Sequence, residues 1–173
     1  MLRINLGAGR QAYEHPGYIS VDIIKTDGID IVWDCNLGLP RDVKYWSGPG
    51  FPHGFDVSPK VFGDNTVDEF LCKHFLEHLS TDGFMRIMDE IHDALKPGGI
   101  LHILVPNGEH IRAAHSDPTH RKVFTRWTFD YFTKESLAAF PYTTKAWRIL
   151  DGPKINGSEG DWWEIEVKMT PDK

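Results

Sequence analysis

The N-terminal stretch constrains the fold of this chain more than any other. Residues Leu2 to Gly9 read Leu-Arg-Ile-Asn-Leu-Gly-Ala-Gly, which predicts a short apolar strand that enters a tight glycine turn. A second apolar stretch, Tyr18 to Ile23, follows at once and carries Asp22 near its end. A strand, a glycine loop and a second strand that ends in a carboxylate are typical of a nucleotide-binding α/β sheet. The glycines permit a sharp turn and the close approach of a ligand, because they have no Cβ.

Further strands and one long helix are predicted along the chain. From Ser80 or Thr81 onward, apolar side chains recur every three to four residues, which predicts an amphipathic helix. Lys96-Pro97-Gly98-Gly99 ends this helix with a cation followed by residues that break helices. The predicted strands are Ile29–Asp34, Val67–His74 and the strongly apolar Ile100–Val105.

The connections between the strands also follow from the sequence. Only eight residues separate Gly9 from Tyr18, fewer than the dozen or so of a full helical crossover, so we expect an abbreviated first crossover. Short helical pieces are expected around 126–132 and, behind a Thr133 cap, over 134–140. Strands over 143–150 and 162–168, joined by a glycine-rich turn, predict a C-terminal antiparallel hairpin.

These elements predict an α/β fold with a three-layer, Rossmann-like and mostly parallel sheet that the C-terminal antiparallel hairpin closes. A chain of 173 residues suffices for one domain, so we expect a single domain over residues 1–173. Ligands of such sheets bind outside the carboxyl ends of the strands. Gly7 to Gly9, Asp22, Asp34 and His74 all fall at those ends.

The composition limits the class of partner. The net charge is −6 and the lysines and arginines are scattered, which disfavours nucleic acid and favours a small-molecule partner. The two cysteines, Cys35 and Cys72, lack the spacing of a zinc ribbon or a disulfide scaffold, and reduced thiols fit a cytoplasmic location. The longest apolar run, residues 100–106, is too short to span a membrane.

A long irregular loop is predicted over residues 38–63, which are rich in proline and glycine. The aromatic residues between Tyr45 and Phe55 would not be left in water, so the loop either covers a site or packs against a sheet edge. In the first case, its rings would suit stacking on a sugar or an aromatic metabolite.

Several motifs together resemble one family, the class I S-adenosylmethionine-dependent methyltransferases, in particular its small, type-11-like members with a reduced first crossover. The resemblance covers roughly residues 2 to 132. The motifs that carry it are Asn5–Gly9, Val21–Ile23, Glu77–Leu79, Leu95–Gly99, and Asp117–His120 ahead of Phe129–Phe132. Two positions depart from the family pattern: Asn5 stands where an acidic residue is usual, and Arg10 and Gln11 replace a third glycine.

The resemblance implies a cofactor, S-adenosylmethionine with S-adenosylhomocysteine as product, and a role for each matching residue. Gly7, Ala8 and Gly9 would pass under the methionine part. Asp22 would hold both ribose hydroxyls, and Ile23 would lie against one adenine face. Asp34 would accept a hydrogen bond from the adenine amino group, and His74 would sit beside the sulfonium. The residues expected to line the adenine pocket are Cys35, Asn36 and Leu37.

The implied reaction is an in-line methyl transfer, for which the protein mainly has to align the acceptor, the methyl group and the sulfur. A hydroxyl acceptor would also need a base, and the candidates are His115, Asp117 and His120, which follow the fifth strand. Alternatively, Asp117 and His120 only hold a loop through backbone hydrogen bonds. The acceptor is expected to be a small molecule, such as a sugar or another metabolite.

Three other readings stay open at this point. His110, His115 and His120 would be the metal ligands of a hydrolase, although their spacing places them on different faces of a helix. A nicotinamide-dependent oxidoreductase is disfavoured by the missing third glycine. A non-catalytic, methyltransferase-like binding module is favoured by Asn5. Neither the identity of the acceptor nor the oligomeric state follows from the sequence.

Overall fold

The centre of the fold is one mixed sheet. The computed structural model describes residues 1–41, 62–158 and 161–173, without the side chain of Gln11. Within these ranges the strand order is β3-β2-β1-β4-β5-β7-β6. The strands are β1 (Arg3–Leu6), β2 (Ile19–Asp22), β3 (Ile31–Val32), β4 (Val67–Lys73), β5 (Leu95–Pro106), β6 (Trp147–Ser158) and β7 (Asp161–Pro171).

The first five strands are parallel to one another, as predicted. Leu6 of β1 lies opposite Val21 of β2 on one side and Cys72 of β4 on the other. Lys73 of β4 lies opposite Leu104 of β5. Because parallel neighbours end in register, the carboxyl ends of these strands meet at one edge of the sheet. The two C-terminal strands pair antiparallel, β7 with β5 and β6 with β7, which confirms the predicted mostly parallel α/β fold with a closing hairpin.

The helices of the described ranges are α1 (Thr81–Ala94), α2 (Ile111–His115) and α3 (Lys134–Ala139). Short 3-10 helices span Gly9–Glu14, Cys35–Leu37, Leu76–His78 and Thr128–Phe132. The first of them confirms the abbreviated crossover between β1 and β2. None of the described helices is long and apolar enough to cross a membrane.

Helix α1 begins and packs as its sequence predicts. The hydroxyl of Ser80 accepts a hydrogen bond from the Gly83 amide at 3.0 Å and so satisfies one of the free N–H groups of the first turn. The apolar stripe predicted from the spacing lies in the core; its members include Phe84, Ile87, Met88 and Ile91. This burial is what fixes α1 against the sheet.

Two predictions about local structure were wrong. Strand β6 does not end at Leu150; it continues to Ser158, which pairs with Asp161, through irregular pairing around Asp151 and Lys154. Glycine and proline are tolerated there since β6 is an edge strand. Thr133 precedes α3 but does not cap it, because its hydroxyl bonds the Asp130 carbonyl at 2.7 Å.

The predicted loop over 38–63 lies mostly outside the described residues. Its start is described: the Trp33 indole donates a hydrogen bond to the Gly38 carbonyl at 2.9 Å, and the Leu39 amide donates one to Glu90 of α1. The aromatic residues between Tyr45 and Phe55 are not among the described ones. Their proposed function as a cover stays a prediction.

Replacing Ser80 by Ala should lower the free energy of unfolding by about 1 kcal/mol, because α1 loses the acceptor for its Gly83 amide. Urea unfolding followed by circular dichroism measures the change. Ser116→Ala is the control, since Ser116 is an exposed serine at the end of α2. Equal effects of the two substitutions would contradict a capping role for Ser80.

Candidate functional site

A crevice of about 420 Å³ opens at the carboxyl ends of the parallel strands. Ala8 lines an adjoining cleft of about 350 Å³, together with Arg10, His15 and Lys73. Leu37 lines neither of these clefts and is 61% exposed. The predicted cofactor residues that line the larger crevice are Gly7, Gly9, Asp22, Ile23, Asp34, Cys35, Asn36 and His74.

The glycine turn is held against the end of β2. The amides of Gly7 and Ala8 both donate to the Val21 carbonyl, at 2.8 and 3.1 Å. Gly7 has a φ of +68° and a Cβ there would overlap the ring of Phe75, so the position requires glycine. At Gly9, also with positive φ (+56°), no atom lies within 4 Å of where a Cβ would be. The turn is therefore packed on the side of Gly7 and open on the side of Gly9.

Two carboxylates border the crevice. Asp22 accepts hydrogen bonds from the amides of Gly9, at 2.9 Å to Oδ2, and of Ile24, at 2.8 Å to Oδ1. Each of its oxygens keeps a lone pair for a further donor. Asp34 accepts from the backbone and the side-chain amide of Asn36 through Oδ1, both at 2.9 Å. Its Oδ2 has no hydrogen bond among the described residues, so both aspartates have acceptor capacity left.

His74 follows β4 in an uncommon conformation. Its φ is +50°, a left-handed value that non-glycine residues rarely adopt, and its amide donates to the Leu104 carbonyl at 2.9 Å. The imidazole lies 3.0 Å from Glu164 and stacks on Trp163, with ring centroids 5.8 Å apart. The hydrogen bond with Glu164, and then the contact with Glu77, raise the pKa of His74 to about 9. His74 therefore carries a positive charge at neutral pH and does not act as a base there.

The partners of His74 are two buried carboxylates, Glu77 and Glu164, neither of which the sequence assigned to the site. Glu164 lies on β7 and is 5% exposed. Burial acts to raise its pKa, but the hydrogen bonds with His74 and Asn156 hold that pKa below its usual range. Glu77 lies 3.6 Å from the other ring nitrogen of His74. Glu164 is buried where β7 pairs with β5, and the predicted hairpin did not indicate that burial.

The three residues predicted on the acceptor side have different surroundings. His115 is exposed at the end of α2. Asp117 accepts hydrogen bonds from the hydroxyl and the amide of Thr119, which lower the pKa of its carboxyl and hold the loop as the alternative reading expects. His120 is half-buried, and its ring centroid lies 5.0 Å from that of His78, which lines the crevice. Of the three, His120 is the one in contact with a crevice residue.

The histidine triplet of the hydrolase reading does not converge in the described ranges. His110 lies 2.7 Å from Asp161 on the exposed side of the hairpin. No group of three possible metal ligands among the described residues contains His110 or His115. A metal centre built from His110, His115 and His120 is therefore wrong.

The comparisons with known proteins agree with the resemblance that the motifs carry. A family described as a methyltransferase domain matches residues 53–103. A search of curated proteins by sequence found no match.

Several solved structures share the fold. A SAM-dependent methyltransferase from Archaeoglobus fulgidus is 16% identical, with 99% of this chain and 86% of that chain covered and a TM-score of 0.58. The 1,6-didemethyltoxoflavin-N1-methyltransferase of Burkholderia thailandensis, solved with S-adenosylhomocysteine, is 15% identical. The match covers 99% of this chain and 71% of that chain, with a TM-score of 0.59. The 16S rRNA (adenine(1408)-N(1))-methyltransferase of Catenulisporales acidiphilia is 12% identical. The match covers 99% of this chain and 85% of that chain, with a TM-score of 0.53.

At these identities the structural likeness shows the fold, and the domain match agrees with it. The resemblance predicted from the motifs is confirmed at this level: the chain has the class I methyltransferase fold and matches a methyltransferase domain.

The thiol of Cys35, in the wall of the crevice, should be unreactive in the folded protein. Burial and then the neighbouring Asp34 raise its pKa to about 12, so about one thiol in ten thousand would be ionised at pH 8. Burial also raises the pKa of Cys72. A chromogenic disulfide reagent should label neither cysteine at pH 8 and both in denaturant. Rapid labelling of the folded chain would contradict this burial.

Proposed function

We propose that this chain, which has the class I methyltransferase fold, is an S-adenosylmethionine-dependent methyltransferase that acts on a small-molecule acceptor by in-line transfer. The observation that carries the proposal is the convergence of Asp22, Asp34, His74 and the glycine turn on one crevice. These residues come from the ends of separate strands, where the ligands of such sheets bind. The cofactor supplies a methyl group on a positively charged sulfur.

The adenosine end of the cofactor fits the larger crevice. Asp22 has one lone pair left on each oxygen for the two ribose hydroxyls, since each oxygen accepts a single amide. Asp34 keeps Oδ2 for the adenine amino group, because Asn36 occupies Oδ1. Ile23 is 60% exposed at the rim and offers an apolar surface to the base. Cys35 and Asn36 complete this wall, and Leu37 is too exposed for the same part.

The methionine end fits the adjoining cleft beside Ala8. Arg10, His15 and Lys73 line it and would attract the carboxylate of an amino acid. Gly7, Gly9 and His74 line both clefts, so the glycine turn would pass under the junction of the two ends. At that junction two carboxylates, Glu77 and Glu164, face the single positive charge of His74. Glu164 offsets the positive charge of His74 beside the place proposed for the cationic sulfonium.

The acceptor is proposed to be a small molecule, as the charge of −6 favours. The structural neighbours include an enzyme named for a small heterocycle and one named for ribosomal RNA, so the fold leaves the acceptor open. Of the predicted catalytic residues His115, Asp117 and His120, we propose that His120 acts on the acceptor. It alone contacts the crevice residue His78, whereas Asp117 holds Thr119 and His115 is exposed.

Calorimetric titration should detect binding of S-adenosylmethionine and no binding of NAD. Asp22→Asn should weaken the binding by about 1.5 to 3 kcal/mol, or roughly 10- to 150-fold, because an amide nitrogen cannot accept from the ribose. Asp27→Asn removes an exposed carboxylate from the same connection and should bind as the native chain does. Binding of NAD instead, or equal affinities of the two variants, would reject the proposed cofactor site.

Transfer can be tested without knowing the acceptor. Incubation with a cell extract and methyl-labelled S-adenosylmethionine should place the label in the low-molecular-mass fraction. Label in the RNA or protein fraction would contradict the small-molecule acceptor. Cofactor binding without transfer to any fraction would support the alternative of a non-catalytic binding module. That alternative was favoured by Asn5, which is buried in β1.

A further inference from the structure

A compact group of possible metal ligands lies beside the crevice. One ligand atom each from Glu77, His78 and His120 falls within 4.8 Å of the others. Glu77 and His78 belong to the 3-10 helix after β4, and His120 comes from the loop after α2. The Glu77 carbonyl accepts hydrogen bonds from the amides of Arg121, at 2.7 Å, and Lys122, at 3.2 Å. The backbone therefore holds the two segments together and keeps the three side chains adjacent.

Among the residues that the structure describes, Nε2 of neither histidine takes part in a hydrogen bond; Nε2 of His120 lies 3.9 Å from Asp117. Nδ1 of His120 lies 3.0 Å from the Ala114 carbonyl, which can only accept, so Nδ1 carries the hydrogen. Thr119 donates its hydroxyl hydrogen to Asp117 at 2.6 Å and therefore accepts from Nδ1 of His78 at 3.0 Å. In each neutral ring the lone pair is then on Nε2. Such outer contacts are the usual means of orienting histidine ligands.

Glu77 gives an independent indication of a bound cation. Its side chain is 1% exposed, and neither carboxylate oxygen receives a hydrogen bond from a residue that the structure describes. Its nearest positive group in the described ranges is His74, at 3.6 Å, which is too far for a hydrogen bond. A buried carboxylate without hydrogen bonds is costly, since it has lost its water and gained little in return. A metal ion would compensate this cost directly.

We propose that Glu77, His78 and His120 bind a divalent first-row transition metal through one carboxylate oxygen and two Nε2 atoms. Two imidazoles favour Zn²⁺, Ni²⁺ or Co²⁺ over Mg²⁺, Ca²⁺ and Mn²⁺, which prefer oxygen. Ligands about 2.1 Å from a tetrahedral metal are about 3.4 Å apart, so ligand atoms that now lie within 4.8 Å of one another would close by up to about 1.4 Å. Three protein ligands leave a position open for an oxygen.

The open position would let the metal activate the acceptor. This catalytic role rests on the proposed function, whereas the metal site itself does not. His78 lines the crevice, so an acceptor hydroxyl bound to the metal would lie beside the cofactor. The metal lowers the pKa of a bound hydroxyl, whose proton passes to water. The O–C bond then forms as the S–C bond of the sulfonium breaks. His120 thus acts on the acceptor as a metal ligand rather than as a base.

The test uses the full chain without a histidine tag, freed of metal by a chelator, and needs no cofactor. Calorimetric titration with Zn²⁺ and Ni²⁺ should give one site per chain. Titration with Co²⁺ should produce the visible absorption of a cobalt site with nitrogen ligands. Failure to bind any of these ions overturns the inference. This result is independent of the test of the proposed function, which measures the binding of S-adenosylmethionine.

Matched variants locate the site. Glu77→Gln and His120→Ala should each weaken metal binding by at least about 100-fold, because each loses one of three ligands. Thr119→Ala, which keeps all ligands but frees the ring of His78, should weaken it about 10- to 100-fold and change the Co²⁺ spectrum. His115→Ala, an exposed histidine nearby, should bind metal as the native chain does. Folding of the metal-free variants is checked by circular dichroism, and unchanged affinity in Glu77→Gln and His120→Ala would overturn the assignment.

Discussion

The geometry of the crevice depends on the hydrogen bonds that fix the glycine turn to the end of β2. The Val21 carbonyl accepts from Gly7 and Ala8, and Asp22 accepts from Gly9. Phe75, which follows β4, packs where a side chain at position 7 would be. Three strand ends are therefore held at fixed distances before any ligand binds. A preformed site of this kind loses little conformational entropy on binding.

Buried charge is concentrated at the same edge of the sheet. His74 turns out of β4 in a left-handed conformation and meets Glu164 from β7 and Glu77 from the following turn. The strain of that conformation is offset by the hydrogen bond to Glu164 and by stacking on Trp163. The C-terminal hairpin thus contributes a charged side chain to the site as well as closing the sheet.

Glu77 connects the two halves of the proposed chemistry. Its carbonyl holds the loop that carries His120, while its carboxylate lies between His74 and the histidine pair. The cofactor side is built from strand ends, whereas the acceptor side is built from a turn and a loop. This division agrees with a common observation, that a rigid scaffold positions the ligand and loops set the acceptor.

The sequence by itself determined the strand and helix pattern, the short first crossover and the set of residues at the strand ends. These follow from local rules: apolar periodicity, glycine in tight turns, and the shared edge of parallel strands. It misjudged the end of β6, because glycine and proline are tolerated at irregular positions of an edge strand. Only the tertiary structure decided that Glu164 is buried against His74 and that His120 joins Glu77 and His78. Those contacts join residues distant in the chain, and they depend on strand register and on loop packing that no local pattern encodes.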